Sequence, residues 1–381
     1  MQYLGDNGGR GRFRSSLRSL ATTTALAIGA AISLPAISFA DEDGVSFWIP
    51  GFFGSLAAVP QQPGWSFTAV NYYTPVSASG AVAAAREITI GRLNPTVNVN
   101  PNVSVTSRFE AVIINPGYVF ATPVLGGQLD LAIAGIVGND NTTLNGNLTL
   151  ASGPFVISRP GSIGASVTGN GDLYPFAFLR WNNGVHNWMV YGTGDIPVGL
   201  YNSTSLANLG IGHGAADAGG GYTYLDPKLG YEFSAVTGFT YNLINPSTNY
   251  QNGIDWHLDW GASQFLTKQI FVGAVGYFYE QVSPDRGCAP QLCPFESGVI
   301  GVGPQVGFII PAGALQVYLN LKAYGEFDAH DRPSGWNAWV TLSLSPSPLT
   351  NPKSCNAHEM KAAKATTEEL TISDALPVVS S

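Results

Sequence analysis

The sequence predicts an all-β protein, a transmembrane antiparallel up-and-down β-barrel of 12 strands, and three observations carry that expectation. Only 11% of the 381 residues are charged while 45% are hydrophobic, against about 25% charge in an ordinary soluble domain. Apolar and polar residues alternate with a period of two in several segments, as in a strand with two unlike faces. Short and long breaks also alternate along the chain, like the turns and loops of an outer-membrane barrel. The formal net charge is −8, from 17 Lys plus Arg against 25 Asp plus Glu. A nucleic-acid binder would carry a basic excess, so that class drops out. The hydrophobic content excludes disorder.

Residues 1–40 read as a signal peptide. Arg10, Arg12, Arg14 and Arg18 form a basic start, Leu20 to Ala40 carries no charge, and Ser38 and Ala40 place small residues before a cut at Asp41. The competing reading is a membrane anchor helix. Pro35 and the acidic Asp41-Glu42-Asp43 favour cleavage. Removing four arginines and Asp6 takes the 17 bases to 13 and the 25 acids to 24, a net of −11. Residues 41–63 follow as an apolar segment. Val45 to Leu56 is too apolar for a periplasmic linker. It is expected to enter the lumen as a plug, with an extra strand or a cap on the barrel as alternatives.

The barrel is expected over 64–345, followed by a polar tail at 346–381. No helix of spanning length fits. The longest uncharged run, Gly44 to Ala85, is broken by four prolines, and Ser297 to Leu321 by two prolines and five glycines. The alternation is clearest at Ile254 to Trp260, where Ile254, Trp256, Leu258 and Trp260 interleave with Asp255, His257 and Asp259. On Tyr231 to Leu243, Tyr231 and Tyr241 lie ten residues apart on the apolar face. At ~3.3 Å per residue and a tilt of ~40° they are about 25 Å apart along the axis, the height between two aromatic girdles.

Five short and six long breaks give twelve strands near 65–74, 106–122, 128–138, 170–181, 185–197, 215–224, 230–243, 254–266, 269–282, 298–310, 314–327 and 335–345. Both ends then fall in the periplasm. The stretches 80–105 and 142–168 leave ten or 14 strands open. Val97, Val99, Val103 and Val105 alternate with polar residues, as a further hairpin or a strand extension above the membrane would. Pro175 lies inside one strand and predicts a local kink or a lateral opening, because proline deletes a ladder hydrogen bond.

Several motifs agree in order: Gly171-Asp172-Leu173-Tyr174-Pro175, Ala207 to Gly214, Gly253 to Trp260, Tyr324 to Asp328, and Gly335-Trp336-Asn337-Ala338-Trp339. Together they make residues 45–345 resemble the outer-membrane channel family linked to the meta-cleavage pathway of phenol degradation. The resemblance implies a bacterial outer-membrane barrel that takes up small, often aromatic, organic compounds. It supplies no catalytic residues. Outer-membrane lipid, small organic solutes and the barrel-assembly machinery are the partners implied, with no nucleic acid and no cofactor. The polar tail departs from barrels that end at an aromatic in the last strand.

Alternation points Glu110, Asp130, Asp172, Asp195, Glu232, Asp255, Asp259, Glu280 and Glu326 inward, with Arg108, Arg180 and Lys322. An acidic lumen repels anions and leaves neutral solutes indifferent. Tyr174, Phe176 and Phe178 share the inward face with Asp172 and Arg180. They form either an aromatic ladder for apolar solutes or the packing of a filled lumen. Barrels of about eight strands are filled and those of about 16 are open, so twelve permits both. The solute path is thus assigned to Asp172, Tyr174, Phe176, Phe178, Arg180, Asp255, His257, Asp259, Lys322 and Glu326.

Asp255, His257 and Asp259 are the best catalytic-looking set. Residues two apart on a strand sit ~6.6–7 Å apart, beyond hydrogen-bond reach, so a polar lumen cluster is the better reading and no catalytic residue is assigned. No Gly-x-Ser-x-Gly elbow occurs. Gly219-Gly220-Gly221 is no phosphate loop, since no Gly-Lys-Ser/Thr follows. Cys288 and Cys293 are separated by four residues and suit a small disulfide loop in an exported chain; zinc would need two more ligands, and no metal is assigned.

Overall fold

The computed structural model describes residues 46–79, 104–152, 155–287 and 296–348. The expected signal peptide at 1–40, the stretch 80–103, Cys288, Cys293 and all of the tail beyond residue 348 lie outside them. Twelve strands follow in order: β1 (Gly64–Ser79), β2 (Ser104–Val119), β3 (Gln128–Ser152), β4 (Phe155–Asn183), β5 (His186–Gly194), β6 (Ala215–Asp226), β7 (Tyr231–Asn242), β8 (Ile254–Phe265), β9 (Ile270–Gln281), β10 (Gly298–Ala312), β11 (Leu315–His330) and β12 (Ser334–Pro346). Each pairs antiparallel with its neighbours in sequence. β1 then pairs with β12, Tyr72 opposite Trp339, so the barrel is closed.

The predicted strand count holds, and one predicted loop does not. The break expected at 139–169 is a hairpin, because β3 and β4 run to 25 and 29 residues and stay in register from Asn139↔Thr168 to Ser152↔Phe155. Beyond the lipid band a strand needs no apolar face. The Asn-, Thr- and Gly-rich stretch therefore pairs without the hydrophobic alternation that marks a strand in sequence. β5 ends at Gly194, three residues short of expectation.

Pro175 explains that early end. On the β3 side the ladder passes through it unbroken, Ile133 opposite Pro175. On the β5 side the last pair is Phe176↔Thr193, and one bridge re-forms at Leu173↔Ile196 in the same register. The interruption spans two residue positions on the β5 side alone, the local irregularity expected of a proline in a strand. A bulge lies beside it, where the β3 register shifts between Gly135 and Val137 opposite Gly171 and Asp172.

Side chains sort as a membrane barrel requires. Tyr231 and Tyr241 stand outward, 57% and 52% exposed, with Phe233 and Phe239 between them. Glu232, Asp255, His257, Asp259 and Lys322 are buried inside. Three charges reverse the expected direction. Arg108 and Glu110 are exposed on the outer face of β2. Glu280 is on the outer face of β9, where it meets His330 at 3.2 Å. β2 is apolar on both faces, with Ile113 buried and Ile114 exposed, so alternation alone could not choose its direction.

Val190 is the midpoint of β5 and is 49% exposed on the outer face. Val190→Arg should cost about 2–4 kcal/mol if this face meets the bilayer midplane. Denaturant unfolding in lipid vesicles would measure it, and a near-neutral result would contradict the outward-facing assignment.

Candidate functional site

Residues 46–63 run inside the barrel. They cannot join its wall as a strand: Pro50, Pro60 and Pro63 interrupt pairing, and Gly51 and Leu56 turn the chain at positive φ. Their backbone N–H and C=O groups must still find partners. Asp259 accepts from the Gly51 and Phe53 amides at 2.9 and 3.0 Å. Glu232 accepts from the Leu56 amide at 2.9 Å. Lys322 donates to the carbonyls of Gly51, Phe52 and Phe53 at 2.6, 3.1 and 3.2 Å. One turn of the segment is thus held from two strands of the wall, its amides by a β8 carboxylate and its carbonyls by a β11 ammonium. Arg180 adds a bond to the Ala57 carbonyl while paired with Asp130 at 3.0 Å.

The apolar side chains of this segment meet the aromatic row of β4. Phe47 packs on Tyr174 with ring centroids 5.7 Å apart. Phe52 stacks on Phe176 at 5.6 Å, and Phe176 on Phe178 at 5.6 Å. Phe53 lies edge-on to Phe178 at 6.3 Å, and the Arg180 guanidinium sits over the Phe178 ring. Both readings of the row therefore share one geometry: an aromatic wall with an aromatic segment against it.

A second constellation surrounds His257. Tyr191, Gly219, Gly238 and His257 face one another in turn across β5, β6, β7 and β8. Because the two middle residues lack side chains, the Tyr191 hydroxyl reaches His257 Nε2 at 3.2 Å. A Cβ at Gly238 would collide with that hydroxyl. The same His257 nitrogen meets Asp217 at 3.0 Å, and Thr240 donates to Asp217 at 2.6 Å. Trp48 stacks on the imidazole at 3.7 Å.

The outer mouth is covered by the connection 195–214. Asp172, on the bulge, accepts from the Gly199 and Ile211 amides at 2.7 and 2.8 Å. Asp140 accepts from the Asn208 amide at 3.2 Å. Leu206 is fully buried with Val105 and Leu144. Asp195, one residue past β5, has its carboxyl pushed up to about 8, first by burial and then by the charge of Asp172.

The predicted site residues thus separate into groups. Tyr174, Phe176, Phe178, Arg180, Asp259 and Lys322 converge on the inner segment. Asp172 holds the outer connection, and Asp255 accepts from Asn242 at 2.9 Å. Glu326 accepts from Tyr277 at 2.8 Å and from the Gly335 amide at 2.7 Å. The three neighbours Asp255, His257 and Asp259 therefore serve three different partners. Sequence reasoning missed Asp217, Asp140 and Tyr191, which share the inner face. The alternating burial of Ala215, Ala216 and Asp217 in a Gly-rich strand left too little apolar pattern to mark that face. Among the described residues no group of three or more His, Cys, Asp or Glu could hold a metal ion.

Gly238→Ala forces a methyl against Tyr191 and His257, whereas a Cβ at Gly325 meets nothing within 4 Å. The first should lose about 1–3 kcal/mol and the second almost nothing. Heat-dependent gel mobility of the two variants in detergent compares them, and equal stability would refute the close approach.

The family model described as "Putative MetA-pathway of phenol degradation" matches residues 94–342, more than half of the chain. Among solved structures, an outer membrane channel from Pseudomonas putida is 13% identical with a TM-score of 0.53, covering 76% of this chain and 96% of its own. A FadL homologue from Pseudomonas aeruginosa is 9% identical with a TM-score of 0.39, covering 74% and 90%. Among curated proteins nothing matches the sequence. The first likeness is one of fold, a barrel of the outer membrane. Because the family model matches more than half of its residues, the chain belongs to the MetA-pathway phenol-degradation family, and its fold is a closed 12-strand β-barrel.

Proposed function

We propose that this protein is an outer-membrane channel for the uptake of small aromatic or hydrophobic organic compounds, with residues 46–63 as its plug. The observation that carries the reading is the continuous aromatic contact between Phe47, Phe52 and Phe53 of the inner segment and Tyr174, Phe176 and Phe178 of the wall. That row, continued by other buried rings such as Tyr191, Tyr277, Tyr324 and Trp339, offers a path on which flat apolar solutes exchange ring contacts for ring contacts. Inward acids outnumber inward bases, which disfavours anions and leaves neutral solutes unhindered. The Pseudomonas putida barrel of the same fold is itself a channel. We assign His257 no catalytic role, because one imidazole nitrogen serves both Asp217 and Tyr191 and no activated nucleophile stands beside it. Insertion by the barrel-assembly machinery belongs to the same proposal.

Cells with and without the protein, compared for uptake of phenol, long-chain alkanes and sugars, test the channel. Faster phenol or alkane entry is expected, with no change for sugars. Equal rates for all three would leave a non-conducting structural or surface-binding barrel. The plug has its own measurement. Lys322→Met removes the three bonds to the Gly51–Phe53 carbonyls and should raise single-channel conductance in planar bilayers, as should deletion of residues 46–63. Unchanged conductance in both would count against a plug.

A further inference from the structure

Six buried polar atoms on one part of the inner wall make no hydrogen bond among the described residues: both carboxylate oxygens of Asp195, Thr193 Oγ1, Asp217 Oδ1, His257 Nδ1 and Trp48 Nε1. Each such atom costs free energy while unpaired. Their positions are contiguous. The register that sets Phe176 opposite Thr193 and Leu173 opposite Ile196 puts Asp195 opposite Tyr174. Thr193 faces Asp217 across the next ladder. Asp217 touches His257, and Trp48 stacks on His257. Phe47, next to Trp48 in the chain, packs on Tyr174 and closes the circuit.

The chemistry of this ring is selective. It offers two acceptor oxygens, one each from Asp195 and Asp217, one obligate donor in the indole N–H, and three groups that can do either: the second oxygen of the raised Asp195 carboxyl, Thr193 and His257. An anion would face the acids Asp195 and Asp217. An ammonium has donors only and would leave the indole N–H unmatched. One hydroxyl supplies a single donor, too few for acceptors on two strands. Two hydroxyls on a flat ring supply two donors and several lone pairs, and Phe47, Trp48, Tyr174 and Phe176 supply ring faces.

We propose that this ring of groups is a binding site for neutral aromatic compounds carrying two or more hydroxyls, placed on the outer side of the inner segment. β5 and β6 meet at their outer ends here, since short turns mark the periplasmic side. The inference rests on the channel reading and adds a preference within it.

Calorimetric titration of the full-length protein in detergent, corrected for empty micelles, compares catechol, phenol, toluene and benzylamine. Catechol should bind at least about tenfold tighter than toluene, with phenol between, as one or two added hydrogen bonds predict. Thr193→Val and Asp195→Asn should each shrink the catechol-to-toluene ratio by about threefold or more. Thr193→Val conserves shape and keeps the test valid if Asp195→Asn fails to fold. Equal affinity for catechol and toluene, tighter benzylamine, or a ratio unmoved by Thr193→Val would overturn the site and leave bound water as the partner of these atoms. Loss of uptake in cells with the preference intact would instead strike the channel reading alone.

Discussion

Everything in this structure depends on closing the backbone ladder. In the hydrocarbon core of a bilayer no water is present to pair with peptide groups, so a sheet survives only when it has no edge. The β1–β12 pairing supplies the last row of bonds, from Phe67↔Leu344 to Ser77↔Ser334. Once it forms, every strand has an inside and an outside, and the period-two pattern decides what goes where. Aromatic and branched residues cover the outside. Acids, amides and hydroxyls collect within, beside buried rings such as Tyr72, Tyr277, Tyr324 and Trp339.

A polar interior of this size creates a second problem that the N-terminal segment answers. Asp259, Glu232 and Lys322 are buried charged residues and need partners. The segment 46–63 carries no charged residue, but its backbone carries donors and acceptors in close succession. The carboxylates take its amides and the lysine takes its carbonyls. Its aromatic side chains meanwhile reach the β4 row. One apolar peptide thus satisfies a polar wall through its backbone and an aromatic wall through its side chains.

The glycines of β6 and β7 act by what they leave out. Gly219 and Gly238 sit opposite one another between two larger residues. The gap brings Tyr191 and His257 together across two intervening strands, and the Trp48 ring closes over the imidazole. The same stretch leaves Asp217 and Thr193 beside one another. A polar neighbourhood is assembled there from four strands and the inner segment, none of which contains it alone.

The sequence by itself determined the class of fold and the direction of most side chains, and it favoured twelve strands over ten or 14. The charge deficit, the alternation at Ile254 to Trp260 and the order of short and long breaks are all local properties. The aromatic row Tyr174, Phe176 and Phe178 was legible for the same reason, since it lies on one strand. Arg108, Glu110 and Glu280 were misplaced where both faces of a strand tolerate the pattern, and only register against neighbours fixes the face. The β3–β4 extension was hidden because strands clear of lipid need no apolar side. Tertiary structure alone decided the partners: Asp259 with Lys322 around one turn, and Tyr191 with His257 over two glycines. Those contacts join residues far apart in the chain, and barrel closure is what brings them within hydrogen-bond distance.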